Sequence, residues 1–179
     1  MMDWQWPEVD ALESQEKWNE AKSFLLKNWQ QDPTDVKVTI RLGFFCWYLL
    51  VEEVPLGVGN VDLDELATIL IQATNFGLAN LKDHEEFLWI FGYMISLFPY
   101  YFGDYEDWEE KGKLMLRRTH ELCPDEPVYQ YSYISSLTSD DVELKNGFQQ
   151  LKTVLEDRFQ GKGLLSEYFT SIWQNWQGI

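Results

Sequence analysis

The sequence predicts an all-α protein of about eight helices in antiparallel hairpins, and three observations carry that reading. Apolar residues recur at three- and four-residue steps over most of the chain. Proline- and glycine-bearing turns interrupt those runs at helix-length intervals. A small residue followed four later by an aliphatic one recurs as Ala21/Leu25, Ala67/Ile71, Gly112/Leu116 and Gly147/Leu151, at separations of 46, 45 and 35 residues. Periods in that range indicate stacked helical hairpins, each burying a face against the next. The alternative is an irregular helical bundle. With 179 residues, one domain spanning 1–179 is expected.

Residues 1–13 read as a lead-in whose Trp4 and Trp6 dock on the first helix. Helix one spans about 14–31, with Trp18, Ala21, Leu25 and Trp29 on one face. Asp32-Pro33-Thr34-Asp35 is a turn, with Thr34 or Asp35 available to cap helix two. Helix two, about 35–51, is apolar nearly all round from Leu42 to Val51 and should be central. Glu52 to Val61 holds Pro55, Gly57 and Gly59 and reads as a loop. Asp62 or Asp64 starts helix three, which runs to about Leu81; helix four covers about 84–98. After the aromatic turn Pro99-Tyr100-Tyr101-Phe102-Gly103 come helix five, about 105–122, helix six, about 126–137, and helix seven, about 141–159. Gly161-Lys162-Gly163 breaks the last of these, and helix eight, about 164–177, carries Leu165, Phe169, Ile172, Trp173 and Trp176 as a capping helix.

The stretch from Ala21 to Cys46 has Ala21 and Leu25, then Pro33, then Leu42-Gly43 and Cys46. It resembles the junction between two tetratricopeptide repeats, where Ala-x3-aromatic and Pro precede Trp-x2-Leu-Gly-x2-Tyr. The resemblance implies a tetratricopeptide-like α-solenoid. No position holds the full Trp-Leu-Gly-Tyr set, the loop at 52–61 is an insertion, and Ile134 replaces the glycine in helix six.

Composition narrows the function. Aromatics make up 16% of the chain, with nine Trp and eleven Phe, so core material is plentiful. The formal charge of −16 opposes nucleic acid and anionic membrane and favours a basic partner. The start of the chain, Met1-Met2-Asp3-Trp4, lacks the basic-then-apolar order of a signal peptide, and Phe87 to Gly103 is too short for a membrane span. Cys46 and Cys123 lack CxxC spacing, so a reduced, cytoplasmic chain is expected.

Catalytic and metal-binding patterns are missing. His84 and His120 are the two histidines, no Gly-x-Ser-x-Gly is present, and neither histidine has metal-site spacing. Gly57-Val58-Gly59 lacks the remainder of a phosphate loop. Asp62-x-Asp64-Glu65 and Asp104-x-Glu106-Asp107 lack the central Gly and distant Glu of a calcium loop, and their place at helix starts is explained first by capping. The expectation is a non-enzyme with no catalytic residues, no metal ligands and no cofactor.

Capping leaves the distribution of basic residues unexplained. Between Leu42 and Glu110 stands one, Lys82, against thirteen acids. In a hairpin stack the turns at 52–65, 99–110 and 139–143 share one edge, which then collects Glu52, Glu53, Asp62, Asp64, Glu65, Asp104, Glu106, Asp107, Glu109, Glu110, Asp140, Asp141 and Glu143. Tyr100, Tyr101, Phe102, Tyr105 and Trp108 lie beside them, as interface anchors or as packing between helices four and five. The expected partner-binding residues are Asp62, Asp64, Glu65, Tyr101, Asp104, Tyr105, Glu106, Asp107, Glu109 and Glu110.

In size, charge and helical-hairpin make-up the chain resembles immunity proteins of bacterial contact-dependent inhibition and related polymorphic toxin systems. That resemblance implies a one-to-one complex with a basic toxin domain, a nuclease by preference, whose substrate-binding face is covered by carboxylates. The alternative is a tetratricopeptide-like adaptor that binds a peptide in a concave groove, where Lys37 and Arg41 would form a carboxylate clamp.

Overall fold

A computed structural model describes residues 2–137, 144, 148, 151 and 154–175, with side chains as far as Ile172. The described residues form helices and turns, without strands. They comprise α1 (Pro7–Ser14), α2 (Trp18–Gln31), α3 (Val36–Val51), the short α4 (Glu53–Leu56), α5 (Leu63–Asn80), α6 (Glu85–Leu97), a 3-10 turn (Pro99–Tyr101), α7 (Tyr105–Leu122), α8 (Pro127–Ser135), a helical run at 154–158, and α9 (Leu164–Asn175). Acidic edge residues Asp140, Asp141 and Glu143, Gly147 of the repeat pair, and the Trp173 and Trp176 side chains lie outside the described residues.

The centre is α3, as its all-round apolar sequence requires. Residues from Val38 to Leu50 are buried except Tyr48, and the helix packs against α2, α5, α6 and α9. Asp35 begins it, accepting the Val38 amide at 3.1 Å, while Asp32 organises the preceding turn by accepting from Thr34. The long α6–α7 hairpin continues the packing, and α8 lies against α7. Two glycines set the close approaches. A Cβ at Gly43 would lie 2.3 Å from Phe91 Cζ, and one at Gly77 would lie 2.1 Å from Phe87 Cε2, so rings of α6 seat directly on the backbones of α3 and α5.

Four expectations are corrected. The lead-in is itself helical from Pro7, and the first long helix begins at Trp18, because Glu16 takes a left-handed φ of 55° and breaks the run. Trp6 does meet α2 through Phe24, but Trp4 is buried against Phe159 and its carbonyl accepts from Arg41. The seam of α5 is Leu66, Leu70, Ala73 and Gly77, one residue before the expected Ala67/Ile71, which are half-buried. The expected loop at 52–61 contains α4, closed by Gly57 in the left-handed conformation at φ 61°.

The C-terminal helix returns to the middle of the molecule. Phe169 of α9 packs on the rings of Phe44, Trp89, Tyr93 and Phe159, and Tyr168 shares a hydroxyl–hydroxyl hydrogen bond with Tyr93 at 3.0 Å. Its start is held by Glu13, whose Oε2 accepts the Leu164 amide at 2.8 Å.

Candidate functional site

Antiparallel packing gathers the end of α3, α4, the start of α5, the 3-10 turn and the start of α7 at one end. Three tertiary bonds fix that gathering. Tyr101 Oη donates to the Leu50 carbonyl at 2.8 Å, Asn19 Nδ2 donates to the Asn60 carbonyl at 3.0 Å, and Lys22 pairs with Glu65. Burial, with hydrogen bonding to Tyr100, pushes the Tyr101 phenol up to about 12, so it remains the donor at physiological pH.

Local chemistry explains part of the acid content here. Asp62 caps α5 by accepting the Glu65 amide at 3.0 Å, and Asp104 caps α7 by accepting the Glu106 and Asp107 amides at 3.2 and 3.3 Å. Asp64, Glu65, Glu106 and Asp107 occupy the first turns of those helices, where the dipole favours negative charge. Gly103, at φ 156°, lets Trp108 fold back over Phe102: a Cβ there would lie 2.2 Å from Trp108 Nε1.

The expected partner-binding residues divide into three groups. Glu65 and Glu109, expected to meet a partner, have cations of their own in Lys22 and Lys113. Tyr101 is half-buried with its hydroxyl engaged, which makes it a support for the turn. Asp62, Asp64, Asp104, Glu106, Asp107 and Glu110 are exposed, as is Tyr105, and among the described residues no lysine or arginine stands within 4.0 Å of those six carboxylates. Half-buried Glu52 and exposed Glu53 likewise have no such cation among the described residues. Lys111 is drawn aside, its Nζ 3.9 Å above the Trp108 ring.

The arginines lie elsewhere. Arg41 is buried with Asp10 and Glu13; Arg158 is buried with Glu86 and Glu126; Arg117 pairs with Glu121, and Arg118 with Asp83. Arg117, Arg118 and Arg158 therefore meet carboxylates on the α5–α6 turn, at the α6 start or at the α7–α8 end, at the opposite helix ends from the starts of α5 and α7, and Arg41 meets carboxylates on α1. Arg41, expected as a groove residue, is instead an internal strut, and Lys37 donates to the Gln5 carbonyl at 2.7 Å.

Sequence reasoning missed two residues of this end, Val54 and Leu97. Both are large, apolar and exposed. A valine between Glu53 and Pro55 was the available signal, though Leu56, Val58 and Val61 of the same stretch face the core. Among the described residues no three His, Cys, Asp or Glu side chains converge on a point that could hold a metal ion, and no helix is long and apolar enough to cross a membrane. Cys46 and Cys123 are free, and burial pushes the Cys46 thiol up, away from thiolate chemistry. Comparison with known proteins gives no matching family, no matching curated protein and no matching solved structure.

Proposed function

We propose that this chain is an immunity-type inhibitor: a tetratricopeptide-like stack of helical hairpins that binds a basic toxin domain, a nuclease by preference, one to one in the cytoplasm. The observation that carries the reading is the division of charge. Each arginine is matched by a carboxylate of this chain, while Glu52, Glu53, Asp62, Asp64, Asp104, Glu106, Asp107 and Glu110, gathered at the end of α3 and the starts of α4, α5 and α7, have no cation among the described residues. Carboxylates held apart on helix starts stand in for the phosphates of a nucleic acid. They steer a cationic face into contact and then deny that face to its substrate. The adaptor alternative loses support, because Arg41 is buried and α9 lies over α3 and α6.

The test is co-expression with candidate basic nuclease toxin domains, scored by growth and by a salt-sensitive complex. Neutralising Glu106, Asp107 and Glu110 together to Gln, Asn and Gln avoids the capping Asp104. It should weaken the complex at least tenfold and abolish rescue. Rescue by the neutralised chain at the wild-type level would refute the reading.

A further inference from the structure

Among the described residues, four of the six exposed large hydrophobic side chains belong to elements that meet at one end. Val54 is 82% exposed, Leu97 46%, Tyr100 56% and Tyr105 53%, and they belong to α4, the end of α6, the 3-10 turn and the first residue of α7. Leu114 and Leu137, also exposed, stand apart from them in the middle of α7 and after α8. Single exposed apolar residues need no explanation, but four converging at one end do. The fold leaves about half or more of each in solvent. Around the same turn Phe98 packs on Trp47, Phe102 is buried beneath Trp108, and Tyr101 is bonded to Leu50. Tyr100 is nonetheless held in place, its ring 4.5 Å from that of Tyr101.

We infer that Val54, Leu97, Tyr100 and Tyr105 form a preorganised apolar anchor site for an amphipathic basic helix of a protein partner. The inference rests on the acidic-edge reading and specifies what that edge grips. Its occupant follows from charge complementarity. Glu52 and Glu53 precede Val54, Glu53 is close enough to disfavour ionisation of Tyr101, and Asp104, Glu106 and Asp107 flank Tyr105. A leucine or phenylalanine entering between these acids brings lysine or arginine neighbours at helical spacing into register with the carboxylates. Nucleic acid, acidic peptides and anionic lipid meet the same ring with the wrong sign, and a second copy of this chain would set two such rings face to face. Because Tyr100 and Tyr105 are rigid amphipathic rings, little side-chain entropy is lost when they are covered, and the contact governs dissociation more than encounter.

The experiment uses the full chain and two fluorescent 18-residue peptides of identical leucine and lysine composition. One places leucines at i, i+3, i+4 and i+7; in the other they are spread around the helix. Wild-type protein should bind the amphipathic peptide at least tenfold tighter than its isomer. The Val54→Ser/Tyr100→Ser chain, with unchanged helical circular dichroism, should lose that preference and keep the salt dependence. The Glu106→Gln/Asp107→Asn/Glu110→Gln chain should bind both peptides more weakly and retain the preference. Equal binding of the two peptides by wild type, or a preference that survives the serine variant, would overturn the anchor site and leave the acidic edge standing. Absence of salt-dependent binding to either peptide would remove the edge itself. A wild-type chain that sediments as a dimer dispersed by the serine substitutions would assign the patch to self-association and overturn the inference.

Discussion

Arg41 enters the most apolar stretch of α3 and is enclosed there by Asp10, Glu13 and the Trp4 carbonyl at 2.7–3.0 Å. The cluster joins α1, α3 and the start of α9, so its loss is felt in three elements. Arg41→Ala leaves two carboxylates buried without a cation and should cost about 3–5 kcal/mol in chemical denaturation. Glu13 adds a pH signature. Burial pushes its carboxyl up from the ordinary 4.5, and Arg41 and the Leu164 amide counter this only in part. The native state therefore holds the proton more tightly than the unfolded chain. Stability from this group is full below the ordinary value and is lost as pH rises through the elevated one. Wild-type protein should melt at a lower temperature in neutral than in mildly acidic buffer, and Glu13→Gln should flatten that slope. A steeper slope in the variant would contradict the assignment. None of this was legible beforehand: Arg41 reads in sequence as an exposed groove residue, because buried ion pairs that span 31 and 28 residues leave no local pattern.

At the scale of elements, Gly43 and Gly77 are where α6 meets its neighbours, and Phe91 and Phe87 have little room to retreat in a fully buried layer. Gly43→Ala should destabilise by about 1–3 kcal/mol through overpacking, although alanine favours the helix itself. Asp104→Ala removes the cap of α7 and should cost about 1 kcal/mol, read as a lower melting temperature. Helix identity was readable from apolar spacing and capping by Asp104 from its place before α7, while Asp35 over Thr34 and Asp62 over Asp64 were selected only by the bonds they make. The α5 seam was misplaced because Ala67/Ile71 and Leu66/Leu70 satisfy the same four-residue step, and only packing against α3 selects between them. α1 was missed because residues 1–13 read as a lead-in, and a left-handed Glu16, with no glycine to announce it, hides where α1 ends and α2 begins.

For the whole molecule the governing quantity is a formal charge of −16, arranged with its arginines away from one end. Clustering of acids was legible in sequence, and so was the four-residue spacing that pairs Glu109 with Lys113; the pairing of Glu65 with Lys22 was not, since Lys22 reaches it from 43 residues away. Tyr100 and Tyr105 stood out in sequence as candidate anchors beside the acids, but only the structure separated them from the inward Phe102 and added Val54 and Leu97. The most direct measurement is the association rate of this chain with a basic nuclease domain whose toxicity it relieves on co-expression, followed by stopped flow across a series of salt concentrations. Steering predicts fast association that falls steeply with salt, and at least tenfold slower encounter after Glu106→Gln/Asp107→Asn/Glu110→Gln. Equal rates for the two chains, flat in salt, would contradict it.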